Sequence, residues 1–414
     1  MAYQKFHILC FGLFLLLQQV VFAQVPKFQF NAIQKEWQDN GIPIALVNNA
    51  ENLRIANNDA EIQLKYVSKE WIHVQISPNK IESLYKEGVL DDFYLEYAPG
   101  VELDDTVRAV QWIDSIHAGN VPLPAGYTGK NIIIGVVDSG LDHNHPDFIN
   151  PQGNKRLIRY WDHTITNPIS SPQPYGYGQI WTQQDITSGA ITSNETQSGH
   201  GTSVTGIATG NGLANGTNMG MAPDALIIAV KTNFSLPNWT LTIADACDYI
   251  FRVADTLGIP AVINLSLGTY LGSRDAKDPA GMHIDQLLGA KNGRLVICAA
   301  GNAGNWPDWH VRNEVTLDTS FVWIKNNPNS SFGANKIYFD LWSDLSAATY
   351  QFAFGANLPS GSFALRGKTN YYGATANLGS VIFDTIFNNN GQRIATVEVY
   401  RDIIGTNYRM QVLF

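Results

Sequence analysis

The sequence predicts an α/β fold built on a doubly wound, mostly parallel sheet. Between about residues 116 and 306, apolar runs of strand length alternate with stretches of helical periodicity, which is typical of a parallel sheet covered by helices. These runs are apolar at nearly every position, as expected for strands buried on both faces. Hydrophobic residues make up 45% of the 414 residues, charged residues only 15%, and 36 are glycine, which favours a compact, loop-rich protein over a coiled coil.

The central region is predicted to contain four core strands and three helices. The predicted strands are 132–137, 225–231, 261–266 and 295–300, and the predicted helices are 201–209, 242–257 and 282–291. The polar stretch 150–197 is rich in Pro, Gly, Ser and Thr, and we interpret it as long surface loops.

The segments on either side of this region have a different pattern. Residues 24–115 predict a small α+β unit with a strand at 71–76, a helix at 80–87 and a second strand at 93–97. Its position between a signal and the central region indicates a propeptide; a small permanent domain is the alternative. Residues 307–414 contain short strand-like runs separated by turn residues, which predicts an inserted β-sandwich or jelly-roll module.

Residues 1–23 have the pattern of a secretory signal, with Lys5 before an apolar run at 8–17 and small residues near Ala23. A buried N-terminal helix is the alternative. We therefore expect a secreted, periplasmic or extracellular protein with no membrane association after signal removal. A net charge of −9 and no Lys/Arg cluster argue against nucleic acid as a partner. Cys247 and Cys298 are predicted to be buried free thiols, and a disulfide is the alternative.

Three polar side chains follow or precede these elements in positions suited to acyl transfer. Asp138 ends the first apolar strand, His200 stands between glycines where a helix begins, and Asn302 follows the last apolar strand. Serine acyl transfer needs a nucleophile, a base, a carboxylate that fixes the base, and donors for the oxyanion. Taken singly, each residue is weak evidence, because a strand-end Asp is usually a turn or cap residue, one His among nine says no more, and Asn302 could be an ordinary turn asparagine.

Together these segments resemble the subtilisin-like serine proteases, the subtilases, over about residues 120–305. The segments that carry the resemblance are Val-Asp-Ser-Gly-Leu-Asp at 137–142 with His-Pro-Asp at 145–147, His-Gly-Thr-Ser-Val-Thr-Gly at 200–206, Gly-Met-Ala-Pro-Asp-Ala at 220–225, Asn-Leu-Ser-Leu-Gly at 264–268 and Ala-Ala-Gly-Asn at 299–302. The sequence departs from the family pattern at Ser203, where a histidine is more usual.

The resemblance implies a role for each residue at these positions. Asp138 would orient His200, which would act first as general base and then as general acid, and Asn302 would donate to the oxyanion. The implied substrate-binding residues are Ser266, Leu267 and Gly268 on one wall and Ala300 and Gly301 on the other. The implied substrate is a protein or peptide, and the chain's own propeptide would be its inhibitor.

We expect no cofactor, although structural calcium would suit this family without an assignable site. A metal hydrolase using His143 and His145 is the less favoured interpretation, because these residues lack a helical His-x-x-x-His spacing.

The nucleophile of the family is not recognisable in this sequence. No Gly-Thr-Ser-x-Ala/Ser-x-Pro motif follows Asn302. We therefore expect an incomplete catalytic domain at 116–306, an incomplete β-module at 307–414, and a catalytic serine beyond residue 414. The 414-residue chain alone would then be inactive and would expose apolar sheet surface. The alternatives are a catalytically inactive relative that binds peptide or glycan without turnover, or a serine of the tail in the catalytic role.

Overall fold

A computed structural model describes most of the chain from Gly41 to Phe414. The described residues are 41–87, 89, 93–94, 101–102, 112–195, 198–216, 218–302, 311–312, 319–324, 336–358 and 364–414. The predicted secretory signal lies outside them. In the described part of the chain, no helix is both long enough and apolar enough to cross a bilayer.

The first sheet is antiparallel, with the strand order β2-β3-β1-β4, and it is accompanied by two helices. Its elements are β1 Ile42–Val47, α1 Ala50–Asn58, β2 Ile62–Val67, β3 Trp71–Ile76, α2 Pro78–Lys86 and β4 Phe93–Tyr94. The strand predicted at 71–76 and the helix predicted at 80–87 correspond to β3 and α2. The elements β1, α1 and β2 were not predicted. The propeptide role of this unit stays a prediction.

The central sheet has six strands in the order β12-β10-β6-β9-β7-β8, and every neighbouring pair is parallel except β7 with β8. The elements from β5 onward are β5 Val101–Glu102, α3 Ile113–Ala118, β6 Ile133–Asp138, β7 Leu157–Asp162, β8 Gln179–Thr182, α4 Gln183–Ser188, α5 His200–Thr209, β9 Leu226–Lys231, α6 Trp239–Leu257, β10 Ala261–Leu265, β11 Leu267–Gly268, α7 Pro279–Ala290 and β12 Arg294–Cys298. The predicted α/β class with a mostly parallel sheet is therefore confirmed.

Alternate residues of β9 show that this sheet has a hydrophobic core on each face. Ile228 and Val230 pack in the cluster that contains residues of α6, including Ile250. Ile227 and Ala229 belong to a different cluster, which includes residues of β7 and α4. Since successive side chains of a strand point to opposite faces, both faces of the sheet are covered, as the apolar strand pattern predicted.

The interpretation of residues 150–197 as surface loops was wrong. This stretch contributes β7, β8 and α4, and Leu157, Tyr160 and Trp161 of β7 are fully buried. Helix α4 begins directly after β8 with a capping box between Thr182 and Asp185. Turn-forming residues dominate the composition here, and they concealed two short strands whose burial comes from a few aromatic and aliphatic side chains.

The edge strand β12 departs from the expected burial on both faces. Leu295 and Ile297 are each 48% exposed, and Cys298 at the end of the strand is exposed. The prediction that both cysteines are free is confirmed for Cys247 and Cys298, but only Cys247 is buried. In the part of the chain that the structure describes, β12 has one neighbouring strand and one face that is only partly covered, so it cannot bury all of its side chains.

The last part of the chain forms a four-stranded antiparallel sheet in the order β13-β20-β19-β18, beside two small two-stranded sheets, β14 with β17 and β15 with β16. The strands are β13 Tyr338–Asp344, β14 Gln351–Phe352, β15 Gly355–Asn357, β16 Leu365–Lys368, β17 Tyr372–Gly373, β18 Val381–Phe387, β19 Arg393–Ile404 and β20 Asn407–Leu413. The strand-rich character of the tail agrees with the sequence, and the jelly-roll topology stays a prediction.

Candidate active site

Asp138 and His200 meet at the carboxyl end of the central sheet. Asp138 is the last residue of β6, which lies between β9 and β10, and its side chain is 1% exposed. His200 is the first residue of α5, and its Nδ1 lies 2.7 Å from Oδ1 of Asp138. Crevices at this end of an open α/β sheet, where neighbouring connections leave in opposite directions, are common ligand sites.

The Asp138 carboxylate is desolvated and held by hydrogen bonds. Burial raises its pKa, while the contact with His200 and the hydrogen bond from the Ser139 amide oppose that rise. The Ser139 N–H donates to Oδ1 over 2.7 Å. A carboxylate that accepts from the Nδ1–H of an imidazole fixes its tautomer, so that Nε2 becomes the nitrogen that can accept a proton.

Small residues allow α5 to approach β6 this closely. A Cβ atom on Gly201 would lie 2.2 Å from the carbonyl oxygen of Gly140 and 3.1 Å from Cβ of Asp138. Gly140 itself has a φ of +136°, a conformation that favours glycine. These two glycines make the contact between the strand end and the helix start sterically feasible.

Glu195 is a site residue that the sequence reasoning missed. Its Oε2 accepts hydrogen bonds from the Thr202 N–H over 2.7 Å and from Thr202 Oγ1 over 2.5 Å. Its Oε1 accepts from the Gly201 N–H over 3.1 Å and from the hydroxyl of Ser139. Glu195 lies in the stretch interpreted as loops, where no periodicity distinguishes it from its polar neighbours.

The predicted substrate-binding residues lie on the two chain segments that leave β10 and β12. These strands are parallel neighbours, with Leu265 opposite Cys298, and the Ala299 N–H donates to the Leu265 carbonyl over 3.0 Å. The chain leaves β10 through Ser266, Leu267 and Gly268. It leaves β12 through Ala299, and Ala300 and Gly301 come next. The two predicted walls therefore begin side by side at the carboxyl ends of two neighbouring parallel strands.

Individual residues of these walls differ in exposure and backbone geometry. Ser266 accepts a hydrogen bond at Oγ from the Asn264 side-chain amide over 2.9 Å. Leu267 is buried, Gly301 has a φ of +101°, and Asn302 is exposed. An exposed amide directly after a turn glycine can be reached by a ligand lying across the edge of the sheet.

One of the predicted walls already pairs with another part of the chain. Strand β5 runs antiparallel to β11, with Glu102 opposite Leu267 and Val101 opposite Gly268. An extended segment that adds to an open strand in this manner is how peptides bind by β-augmentation. The chain therefore places its own extended segment on the predicted substrate-binding strand.

The histidines considered as metal ligands have local partners. His143 Nδ1 lies 3.1 Å from Lys155 Nζ, and His145 Nδ1 accepts from the Asp147 N–H over 3.3 Å. Among the residues that the structure describes, no group of three or more His, Cys, Asp or Glu side chains is arranged to hold a metal ion.

Residues 129–331 match the model of the subtilase family. The PII-type proteinase of Lacticaseibacillus paracasei is 26% identical over 189 residues, which is 43% of this chain and 10% of that protein. Subtilisin E of Bacillus subtilis is 28% identical over 184 residues, covering 44% of this chain and 36% of the relative. The minor extracellular protease Vpr of Bacillus subtilis is 26% identical over 179 residues, which is 43% of this chain and 18% of that protein.

One solved structure is also similar to part of this chain. The structure of the Clostridium perfringens CspB protease shares 19% sequence identity with this chain, at a TM-score of 0.48 over 73% of this chain and 59% of that one. The present chain spans well under half the length of the curated relatives described above. With the five motifs in family order and the match to the family model, residues 129–331 form a subtilase-like region of this chain.

Proposed function

We propose that this chain carries the acid–base part of a secreted serine endopeptidase that hydrolyses peptide bonds with an Asp-His-Ser triad. The observation that carries the proposal is the 2.7 Å contact between Asp138 and His200 at the carboxyl end of the sheet of a subtilase-family domain. Asp138 holds the imidazole of His200 in the Nδ1–H tautomer. His200 takes the proton of the nucleophile and later gives it to the leaving amine.

The remaining site residues bind the substrate and its oxyanion. The backbone of Ser266, Leu267 and Gly268 pairs with an extended peptide, and Ala300 and Gly301 form the facing wall. The side-chain amide of Asn302 donates to the oxyanion of the tetrahedral intermediate. The exposure of Asn302 and the adjacent exits of β10 and β12 support this arrangement.

The N-terminal segment acts as an intramolecular inhibitor of this groove. Support comes from the antiparallel pairing of Val101 and Glu102 with Gly268 and Leu267, which uses the same backbone groups that a substrate strand would use. Export of the protein is supported by the secretory pattern of residues 1–23 and by the similarity to an extracellular protease of Bacillus subtilis.

Hydrolysis of casein by the protein expressed from its own gene in its own cells tests the proposal. We expect His200→Ala to lower turnover by about 10⁶-fold, the loss known for the general base of subtilisin. We expect Asp138→Asn to lower turnover by about 10⁴-fold, because the wrong tautomer of His200 is then favoured. His145→Ala is the matched control and should keep activity. Equal activity of wild type and His200→Ala would contradict the proposal.

Binding of peptide or glycan without turnover is the second candidate function. The observation that favours it is the sequence after Asn302, which contains no Gly-Thr-Ser-x-Ala/Ser-x-Pro motif. Capture of a casein-derived peptide with no hydrolysis, by that same native gene product, would support binding and exclude the endopeptidase.

A further inference from the structure

Helix α5, which begins at His200, has a glycine at its N-cap position. Gly199 has no side chain to cap the helix and lies in the left-handed region at a φ of +71°, and the hydroxyl of Ser198 accepts from the His200 N–H over 3.3 Å. The first N–H groups of a helix have no acceptor within the helix, and the partial positive charge there favours a carboxylate. The N–H groups of the next two residues, Gly201 and Thr202, need acceptors from outside the helix.

Glu195 supplies that acceptor from five residues upstream. One carboxylate oxygen accepts from the N–H and hydroxyl of Thr202, and the other accepts from the N–H of Gly201, over distances of 2.5–3.1 Å. Bonds between a carboxylate and N–H donors are stronger than bonds between neutral groups. Glu195 thus accepts hydrogen bonds from two N–H groups of the helix turn that begins with the proposed catalytic base.

The same carboxylate also binds the strand side of the site. The hydroxyl of Ser139 donates to Oε1 of Glu195 and accepts from the Gly201 N–H over 3.0 Å. The amide of Ser139 donates to Oδ1 of Asp138, the atom that contacts His200. Glu195 therefore connects the residue after Asp138 with the two residues after His200.

The backbone and side chain of Glu195 are themselves fixed in place. Its N–H donates to the carbonyl of Leu141 over 3.3 Å. A Cβ atom on Gly140 would lie 3.2 Å from Cβ of Glu195, so the glutamate packs against the turn after β6. The preceding Asn194 donates to the Asp142 carboxylate over 3.3 Å. Glu195 is thus held against the connection that leaves β6.

We propose that Glu195 is a positioning residue that sets the distance and orientation of the His200 imidazole relative to Asp138. The proposal rests on the proposed function, in which these two residues act as a pair. Glu195 contacts neither the imidazole nor the Asp138 carboxylate directly in these hydrogen bonds. It acts by joining the strand end and the helix start that carry them. Without it, the first-turn donors of α5 and the Ser139 hydroxyl lose a shared acceptor.

Nitrogen NMR of the full chain labelled with ¹⁵N-histidine tests this role, because it reports the tautomer of His200 without requiring activity. The His200 signals are assigned by their loss in His200→Ala. The variants are Glu195→Ala and Glu195→Gln; the glutamine has the same length but presents an NH₂ group to donors on one side. Asp185→Asn is the matched control, since Asp185 caps α4 through Thr182 instead.

In the wild type and in Asp185→Asn we expect the Nδ1–H tautomer with a low-field proton signal. In both Glu195 variants we expect a mixture of tautomers and loss or upfield shift of that signal. Wild-type spectra in the Glu195 variants would overturn the proposal. If Glu195→Ala does not fold, Glu195→Gln decides. A wild-type His200 without the Nδ1–H tautomer would overturn the proposed function itself, a result distinct from unaltered Glu195 variants.

Discussion

At the scale of single residues, the Asp138–His200 contact depends on how closely α5 approaches the end of β6. The carbonyl of Gly140 and Cβ of Asp138 occupy the space where a side chain at position 201 would begin. A methyl group there must push the helix away from the strand, and the imidazole moves with the helix. The small residue after His200 is thus a requirement of the site geometry.

We expect Gly201→Ala to lower the free energy of unfolding by about 1–3 kcal/mol, the usual cost of overpacking a tight contact. Gly206→Ala in the same helix is the matched control, because nothing lies within 4 Å of its added Cβ. That change should stabilise by about 0.5–1 kcal/mol, because alanine is the better helix former. Urea unfolding of both variants measures the difference, and equal effects would contradict the steric argument.

The sequence predicted Asp138 and His200 because each lies in a short run of contiguous residues with a recognisable setting. It could not predict Glu195, whose partner Ser139 directly follows β6 and whose partner Thr202 lies in α5. A helix cap that comes from a loop five residues upstream has no local signature, since only the folded chain brings the three residues together.

At the scale of elements, a buried polar cluster joins β2 to α6. Lys65 of β2 and Asp245 of α6 form an ion pair in which neither side chain is exposed. The hydroxyl of Tyr66 donates to Asp245 over 2.7 Å, and that of Tyr177 over 2.9 Å. Burial lowers the pKa of Lys65, while Asp245 opposes the shift. The N-terminal sheet is therefore joined to helix α6 of the central region by an ion pair that has little contact with water.

We expect Lys65→Met to destabilise the protein by about 3–5 kcal/mol, because it leaves the Asp245 carboxylate buried without its counter-ion. Lys80→Met is the matched control in the same unit. Lys80 is partly exposed and bonds Asp59 and Glu61, so its loss should cost no more than about 1 kcal/mol. Chemical denaturation measures both, and comparable losses would show that burial of the Lys65 pair does not matter.

The elements were predicted unevenly for a physical reason. Strands such as β9 and β10 were identified because they are apolar on both faces, and α6 because its apolar residues recur at helical spacing. β7 and β8 were not predicted, because their burial depends on packing of Tyr160, Trp161 and Trp181 with distant residues. Tertiary packing, which short sequence windows do not contain, made strands of residues whose neighbours favour turns.

At the scale of the whole molecule, one hydrophobic cluster draws residues from all three parts of the chain. It contains Ala45, Trp71 and Tyr94 of the first sheet, Leu241, Ala244 and Ala280 of the central region, and Ile404 of β19. The guanidinium of Arg409 in β20 lies 4.7 Å from the ring centre of Tyr94. The N-terminal sheet thus packs against both of the other parts.

Histidines buried near this junction make stability depend on pH. His73 and His283 are both buried, and neither of their rings has a hydrogen-bond partner among the described residues. Burial lowers the pKa of His73 well below its usual range and that of His283 to about 4, with Lys65 adding to both shifts and Asp245 opposing the shift of His283. His163, also buried, has a pKa lowered to about 3.

We expect the free energy of unfolding to fall as the pH drops below 6.5, the ordinary pKa of histidine, towards 4. In that window the unfolded chain binds protons that the buried rings of the folded protein do not, so each such histidine contributes a slope of up to about 1.4 kcal/mol per pH unit. His283→Phe should reduce the slope by the contribution of about one proton, because phenylalanine does not titrate. The phenyl ring keeps the stacking on Tyr66. Identical slopes for the variant and the wild type, from urea unfolding at pH 7 and 5, would contradict this.

The central claim is that Asp138 and His200 activate a serine nucleophile. Covalent labelling with a fluorophosphonate tests it most directly, because only an activated serine reacts rapidly, and mass spectrometry identifies the labelled residue. In the protein produced from its own gene, we predict one labelled serine, whose labelling disappears in His200→Ala and is strongly slowed in Asp138→Asn. No labelled serine in the wild type, or equal labelling in His200→Ala, would contradict the account.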